Sequence, residues 1–482
     1  MALKEADFID DLKTIGVSDD ALKDVLAIHY QNPDLVPYEC KRVYNIRMNE
    51  EKLKCLNIMS SKPVKTPQKP KVWTPRTPRS MVPIEPSRKS ARIAGIQPVV
   101  YSTEHVVGEI STSVQRRYKK PKLSFEDISD IASDSAAPIL DYVKDEPSSA
   151  DTKIQKSESN CILEDVRKLC INQNGISKVC KVRLSAMAIH PGNKLLIAGG
   201  SKQGEVGLFM PGEKKTTVRL EPHNNVVGDC LFSTCRIYTS SYDGSLRMFD
   251  ANTLQFDQIY YDEDNVFRGI YLKGDNDLLV ASGDGHIVKV DARVDEMVGT
   301  YPDSKDAGQY GSLWKVDCNK FDENYFISSS NNGNVVLWDT RNTKSPVDIN
   351  SSHEKTVSSA VFDPIAGKKI LSTAYDDTIA VLDISNKTKM VETKKFSHCN
   401  QTGRWLTKFQ AKWHPASDEI FAIGSMAQPR RMEIFNINGN MEVTLTNENM
   451  NSVQCLVDFH PTINALVGAN ASGYCYVFDD VM

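Results

Sequence analysis

The chain lacks the pieces from which most catalytic and cofactor sites are built. Its nine histidines never fall in an HExxH pair, and there is no glycine-rich phosphate loop or Cys/His metal cluster. Catalytic, cofactor and metal roles are therefore not expected. The eleven cysteines include no CxxC pair, and Cys230, Cys318, Cys455 and Cys475 sit inside apolar runs. That pattern reads as reduced, buried thiols of an intracellular protein rather than a disulfide framework. No apolar run reaches the roughly 18 residues that span a membrane, and no signal-peptide segment opens the chain. Strong charge of one sign is also missing, with a formal net charge of −4 over 482 residues. A chain with so little net charge cannot bind nucleic acid by bulk charge; any such binding must come from local patches.

What is abundant is a repeat. In Gly311 to Arg341, Leu313 to Val316, Tyr325 to Ser329 and Val335 to Trp338 read as three strands, with Asn331-Asn332-Gly333-Asn334 as a tight turn. The unit ends Leu-Trp-Asp. Matching endings fall at Phe209, Phe249-Asp250, Val290-Asp291, Leu382-Asp383, Phe435-Asn436 and Phe478-Asp479, spaced about 40 to 53 residues apart. His190, His414 and His460, each followed by proline, mark turns after inner strands, and His223, His353 and His398 precede inner strands. This is the grammar of the WD repeat, and seven copies close into a ring because one sheet alone cannot bury both faces. The expected fold is an all-β, seven-bladed WD-repeat propeller over 161–482. Either Cys161 to Val166 or Ile176 to Val182 is expected to supply the last blade's missing outer strand.

Before the ring the chain changes character twice. Residues 1–60 carry short helical patterns: Leu3, Phe8, Leu12 and Ile15; then Leu22, Val25 and Leu26 behind a possible Ser18 cap; then Tyr38 to Ile58. They fit solvated helices or a docking element for a partner. Residues 61–160 read as a disordered linker, basic and then acidic. Seven prolines fall between 63 and 86, and Lys and Arg outnumber acids fourteen to three between Lys62 and Lys122. The run Arg116, Arg117, Lys119, Lys120 and Lys122 has the composition of a nuclear-import signal. Thr66, Thr74 and Thr77 precede prolines, as in proline-directed kinase sites, and Val143-Lys144-Asp145-Glu146 fits a sumoylation consensus.

The sixth repeat carries the most specific residues. Asn400-Gln-Thr-Gly-Arg-Trp-Leu-Thr407, Trp413-His-Pro415 and Gly424 to Phe435 resemble the family of WD repeat-containing protein 76 and its fungal counterpart, the changed-mutation-rate protein. Ser352 to Ser359 and Tyr38 to Ile46 resemble it too. Through its kinship with the small subunit of the UV-damaged-DNA-binding complex, this family implies a nuclear DNA-binding protein favouring damaged or modified duplex and acting in DNA metabolism or the DNA-damage response. Chromatin proteins are further implied partners; no membrane is.

Strand order gives a separate reading. In an antiparallel blade, the loop entering strand a and the b–c turn share one face. Arg404 and Trp405 enter repeat six, Arg430 and Arg431 lie in its b–c turn, and Lys355 enters the neighbouring repeat. Cations beside an aromatic suit phosphate contact with stacking or wedging. For Trp405 a buried anchor and an exposed wedge both remain open. On the opposite face, Trp338-Asp339-Thr340-Arg341 matches the WDxR box by which many WD proteins dock to the adaptor of cullin-four ubiquitin ligases. Arg293 closes a partial copy one repeat earlier. The alternative function is thus a ligase substrate receptor or chromatin-associated scaffold.

Overall fold

The computed structural model describes residues 19–31, 40, 42–48, 122–144 and 156–480, apart from positions 172, 213–214, 234, 275, 295, 304–309 and 404. Among these residues the strands form seven antiparallel sheets. Blade 1 runs from Leu184–Ile189 to Thr216–Leu220, blade 2 from Val227–Ser233 to Gln255–Tyr261, and blade 3 from Phe267–Lys273 to Glu296–Tyr301. Blade 4 spans Leu313–Cys318 to Asp348–Asn350, blade 5 Val357–Phe362 to Val391–Ser397, and blade 6 Lys412–Trp413 to Met441–Thr446. Blade 7 takes Gln454–Phe459, Ala465–Asn470 and Tyr474–Asp479, and Ile176–Lys178 pairs antiparallel on its outside. Of the two segments expected to close the ring, the later one does so. Cys161 to Val166 instead lies in helix α4 (Ser159–Lys168). Its Ile162, Leu163 and Val166 are buried against blades 6 and 7, because they repeat at helical rather than alternating spacing.

The blades are fastened to one another by buried polar groups as well as by apolar packing. Ser185 Oγ donates to the Val227 carbonyl across blades 1 and 2 at 2.7 Å, and Ser358 Oγ donates to the Phe409 carbonyl across blades 5 and 6 at 2.5 Å. The histidines before the inner strands lock their loops onto their own blades. His223 bridges Ser245 and Thr239 at 2.9 and 2.8 Å, and His353 reaches Ser372 at 2.9 Å and Asp376 at 3.2 Å. The strand cysteines expected to be buried are so, and burial pushes the Cys455 thiol up to about 12, which leaves it inert.

Part of the expected linker is folded. Lys122–Ser124 adds a fifth strand to blade 2, pairing Leu123 with Phe256. Helices α2 (Phe125–Ile128) and α3 (Ser133–Lys144) follow. Phe125, Ala136, Ile139, Leu140, Tyr142 and Val143 join a core shared with blades 1 and 2. Tyr142 fixes the end of α3 through its hydroxyl, which takes the Lys194 N–H at 2.7 Å and donates to the Lys194 carbonyl at 3.0 Å. The physical reason is that Ala136, Ile139, Leu140 and Val143 form an apolar stripe at helical spacing beneath an acidic exterior. Of the sumoylation consensus, Val143 and Lys144 close α3, with Val143 buried, and Asp145 and Glu146 lie outside the described residues.

In the N-terminal unit, Asp19–Gln31 forms α1 and residues 42–48 are helical. Ala21, Val25, Ile28 and Cys40 make its small core. Leu3 to Ile15, the Thr-Pro sites and Arg116, Arg117, Lys119 and Lys120 of the basic run lie outside the described residues.

Candidate nucleic-acid interface

Each inner strand of blades 1 to 5 opens with a buried apolar residue: Leu184, Val227, Phe267, Leu313 and Val357. Directly after it the pairing register shifts, and the extra residue of the bulge is turned toward the ring's axis. These second residues are Ser185, Gly228, Arg268, Trp314 and Ser358, and all five line one cavity of about 420 Å³ at the mouth of the central channel. Blades 3 and 4 contribute bulk there, and blades 1, 2 and 5 leave space. Gly228 must lack a side chain, because a Cβ would stand 2.4 Å from the Phe267 carbonyl oxygen.

The cavity's charge is of one sign. Arg183, Lys202, Arg268, Lys315 and Lys408 line it, and none of its lining residues is acidic. Arg268 is held by Tyr242, whose hydroxyl accepts from Nε at 3.0 Å, and by the Leu313 carbonyl at 2.8 Å. Its guanidinium lies 4.6 Å from the Trp314 ring centre, and the Lys408 ammonium lies 3.7 Å from the same centre. Burial, and then the Arg268 charge, push the Lys408 ammonium down to about 8. Lys315 is the exception. It pairs with Asp229 below it, and that carboxylate also accepts the Ile270 N–H at 3.1 Å. Deeper in the channel, Lys412 pairs with Asp458 at 3.4 Å, and Asp317 accepts the Phe362 N–H at 2.7 Å. The cationic mouth thus has a charge-compensated floor.

Of the residues singled out in the sequence, Lys355, Trp405, Arg430 and Arg431 lie in entry loops or b–c turns on the same face, but none of them lines the cavity. Lys355 is exposed in the loop entering blade 5. Trp405 is 74% exposed, so it is no buried anchor. Its loop continues through Leu406, Thr407 and Lys408 into the cavity wall, where the Thr407 hydroxyl donates to the Leu184 carbonyl of blade 1. Arg404 lies outside the described residues. The other two arginines are engaged locally. Arg430 Nη1 donates to the Met426 carbonyl at 2.6 Å, and Arg431 Nε donates to Glu433 at 2.7 Å. Glu433 also pairs with His398 at 3.2 Å, so the Arg431 charge is answered inside the blade. Sequence reasoning missed Arg183, Lys202, Arg268, Lys315 and Lys408, because they are scattered, two on blade 1 and one each at blades 3, 4 and 6. The signal for Arg268 was the repeated second position of strand a.

On the opposite face the two expected boxes share one geometry. Arg341 grips Asp339 with Nε to Oδ1 at 2.9 Å and Nη2 to Oδ2 at 2.6 Å. Arg293 grips Asp291 at 3.0 and 2.6 Å in the same way. Both guanidinium side chains remain more than 60% exposed. Trp338 is fully buried, with its indole N–H donating to Ser328 at 2.9 Å and its ring against Phe326 and Tyr310. Its place in the box is structural. Among the described residues no three His, Cys, Asp or Glu groups could hold a metal ion, and no helix is long and apolar enough to cross a membrane.

No family model matches the chain. WD repeat-containing protein 76 of Xenopus laevis is 28% identical over 95% of this chain and 83% of its own length. The mouse protein of the same name is 28% identical over 92% of this chain and 74% of its own length. DNA damage-binding protein CMR1 of Scheffersomyces stipitis is 25% identical over 92% and 99%. The likeness read in the repeat-six residues thus extends over nearly the whole chain, whose homologues carry the names WD repeat-containing protein 76 and DNA damage-binding protein CMR1.

Proposed function

We propose that this chain is a nuclear protein that binds duplex DNA, favouring damaged or modified duplex, through the face carrying the strand-a entry loops and b–c turns. The observation that carries this reading is the acid-free mouth lined by Arg183, Lys202, Arg268, Lys315 and Lys408, with exposed Lys355 and Trp405 on the same face. Phosphates supply most of the affinity in such contacts, and a local cationic surface is what a chain with net charge −4 needs. An exposed indole beside cations suits a wedge at a weakened base step, and damaged steps are the ones most easily opened. The naming of fungal relatives as DNA damage-binding proteins supports the same reading.

The test is the salt dependence of duplex binding by the full chain. Lys202→Ala and Lys355→Ala are exposed changes that leave the fold intact. Each should lower the slope of log K against log salt by about 0.9, and the pair by about 1.8. An unchanged slope in the double variant removes this face.

A second reading is favoured by the paired Asp–Arg clasps at Asp291/Arg293 and Asp339/Arg341. Two identical, exposed, planar donors on neighbouring blades suit an acidic or carbonyl-rich partner surface such as the cullin-four adaptor. Both functions can operate together, since the clasps lie on the face away from the cationic mouth.

A further inference from the structure

The mouth of the channel holds more positive charge than duplex backbone contact explains. Exposed cations such as Lys202 and Lys355 can track a phosphodiester backbone. Arg268 and Lys408 are instead half-buried within the cavity and packed on Trp314. We propose that this cavity is a binding site for a phosphomonoester dianion.

Two observations favour a terminal phosphate over a base or a through-running strand. The aromatic rings in and beside the cavity wall already carry cations. Trp314 has Arg268 and Lys408 on it, Tyr242 has Arg268 at 5.3 Å and Tyr375 has Lys408 at 5.4 Å. A flat base would have to displace them, whereas a compact anion complements them. Next, the Lys315–Asp229 and Lys412–Asp458 pairs and Asp317 place carboxylates below the mouth, which disfavours an anionic strand running on through the channel and suits the end of a molecule. Several cations around a space of about 420 Å³ suit a small oxyanion carrying two charges.

The protonation of Lys408 follows from its surroundings. The charged groups facing it are Arg268, Arg183, Lys202 and Lys315, with Tyr375 and Trp314 against its ammonium and Asp229 below Lys315. An arriving dianion opposes the burial and the Arg268 charge that hold Lys408 near 8, so it raises that value and draws in a proton. Two sources carry this chemistry: the phosphorylated end of a nucleic-acid strand, and a free phosphorylated small molecule. The site goes beyond the duplex reading and stands or falls separately from it.

The experiment is calorimetric titration of the full chain with inorganic phosphate at pH 8, in two phosphate-free buffers of different ionisation enthalpy. Saturable binding with net proton uptake is expected. Lys408→Met should abolish the uptake and weaken binding at least about tenfold, as loss of a charge-assisted contact does. Lys202→Ala, exposed and safe for folding, should weaken it several-fold. Two competitors then separate the sources: a 5′-phosphorylated duplex compared with its 5′-hydroxyl twin, and a sugar phosphate. Competition by the phosphorylated duplex but not its twin assigns the site to strand ends; competition by the sugar phosphate assigns it to a free ester. Absence of phosphate binding, equal binding by both variants, or phosphate binding that neither ester displaces overturns the site. Duplex binding is read independently with the 5′-hydroxyl duplex alone.

Discussion

Glu433 ties the rim of blade 6 to its interior. Burial alone would raise its carboxyl, but hydrogen bonds from His398 and Arg431 hold it down at about 2. A carboxylate whose folded value lies below its ordinary 4.5 stabilises the fold above pH 4.5, and that contribution fades as pH falls toward 2. Glu433→Gln should therefore lower the urea midpoint at pH 7, and the gap from wild type should close between about pH 4.5 and 2. A gap independent of pH would mean that the side chain acts by packing alone. Lys408 runs the other way. Its folded value, about 8, lies below the ordinary 10.5, so the unfolded chain holds the proton more strongly. Stability should rise as pH climbs from about 8 toward 10.5, and Lys408→Met should remove that rise. The contrast explains the local chemistry: Arg431 has an acidic partner in the blade, whereas Lys408 is held by aromatic rings.

At the scale of elements, the folded part of the expected linker is the clearest departure from the sequence reading. Phe125 packs on Phe249 at a ring separation of 6.3 Å, and Ile139 is fully buried in the same core. Phe125→Ala and Ile139→Ala should each cost about 2–5 kcal/mol by large-to-small replacement in a packed core. Denaturant unfolding of the full chain measures this; losses below 0.5 kcal/mol would make α2 and α3 loosely attached. Lys122 belongs to the same element, paired in a strand and 3.6 Å from Asp257. The import hypothesis is therefore best tested with Arg116, Arg117, Lys119 and Lys120 changed to alanine and Lys122 kept. A tagged variant should redistribute to the cytoplasm, and unchanged nuclear accumulation would assign import to another segment. The strand ends and the structural histidines were legible because they recur from blade to blade, and the closing strand's candidates because blade 7 has only three strands of its own. The segment 122–144 was not, because it occurs once and its acids, serines and Pro138 mask the stripe formed by Ala136, Ile139, Leu140 and Val143. The cationic mouth was hidden for a third reason. Each blade supplies at most two of its charges, from an entry loop, an inner strand or a b–c turn, and only ring closure brings them to one cavity.

A net charge of −4 conceals a local gathering of cations at one mouth of the ring. Cations gather at one end of the channel, and ion pairs compensate one another through its floor. At the far end Arg293 and Arg341 are pre-set by their aspartates, so little side-chain entropy is lost when a partner meets their outer edges. Sites at opposite ends of a rigid ring, sharing no side chain, should act additively. Arg293→Ala with Arg341→Ala should sharply reduce recovery of the cullin-four adaptor, because forked donors at interfaces often contribute about 2 kcal/mol or more. The same double variant should leave the salt slope of duplex binding unchanged and shift stability by less than about 0.5 kcal/mol per exposed substitution. Lys202→Ala with Lys355→Ala should show the reverse pattern, with a flatter salt slope and full adaptor recovery. Undiminished adaptor recovery in the arginine pair would reject docking through the clasps. Reduced adaptor recovery in the lysine pair would instead mean that the two faces are coupled through the ring.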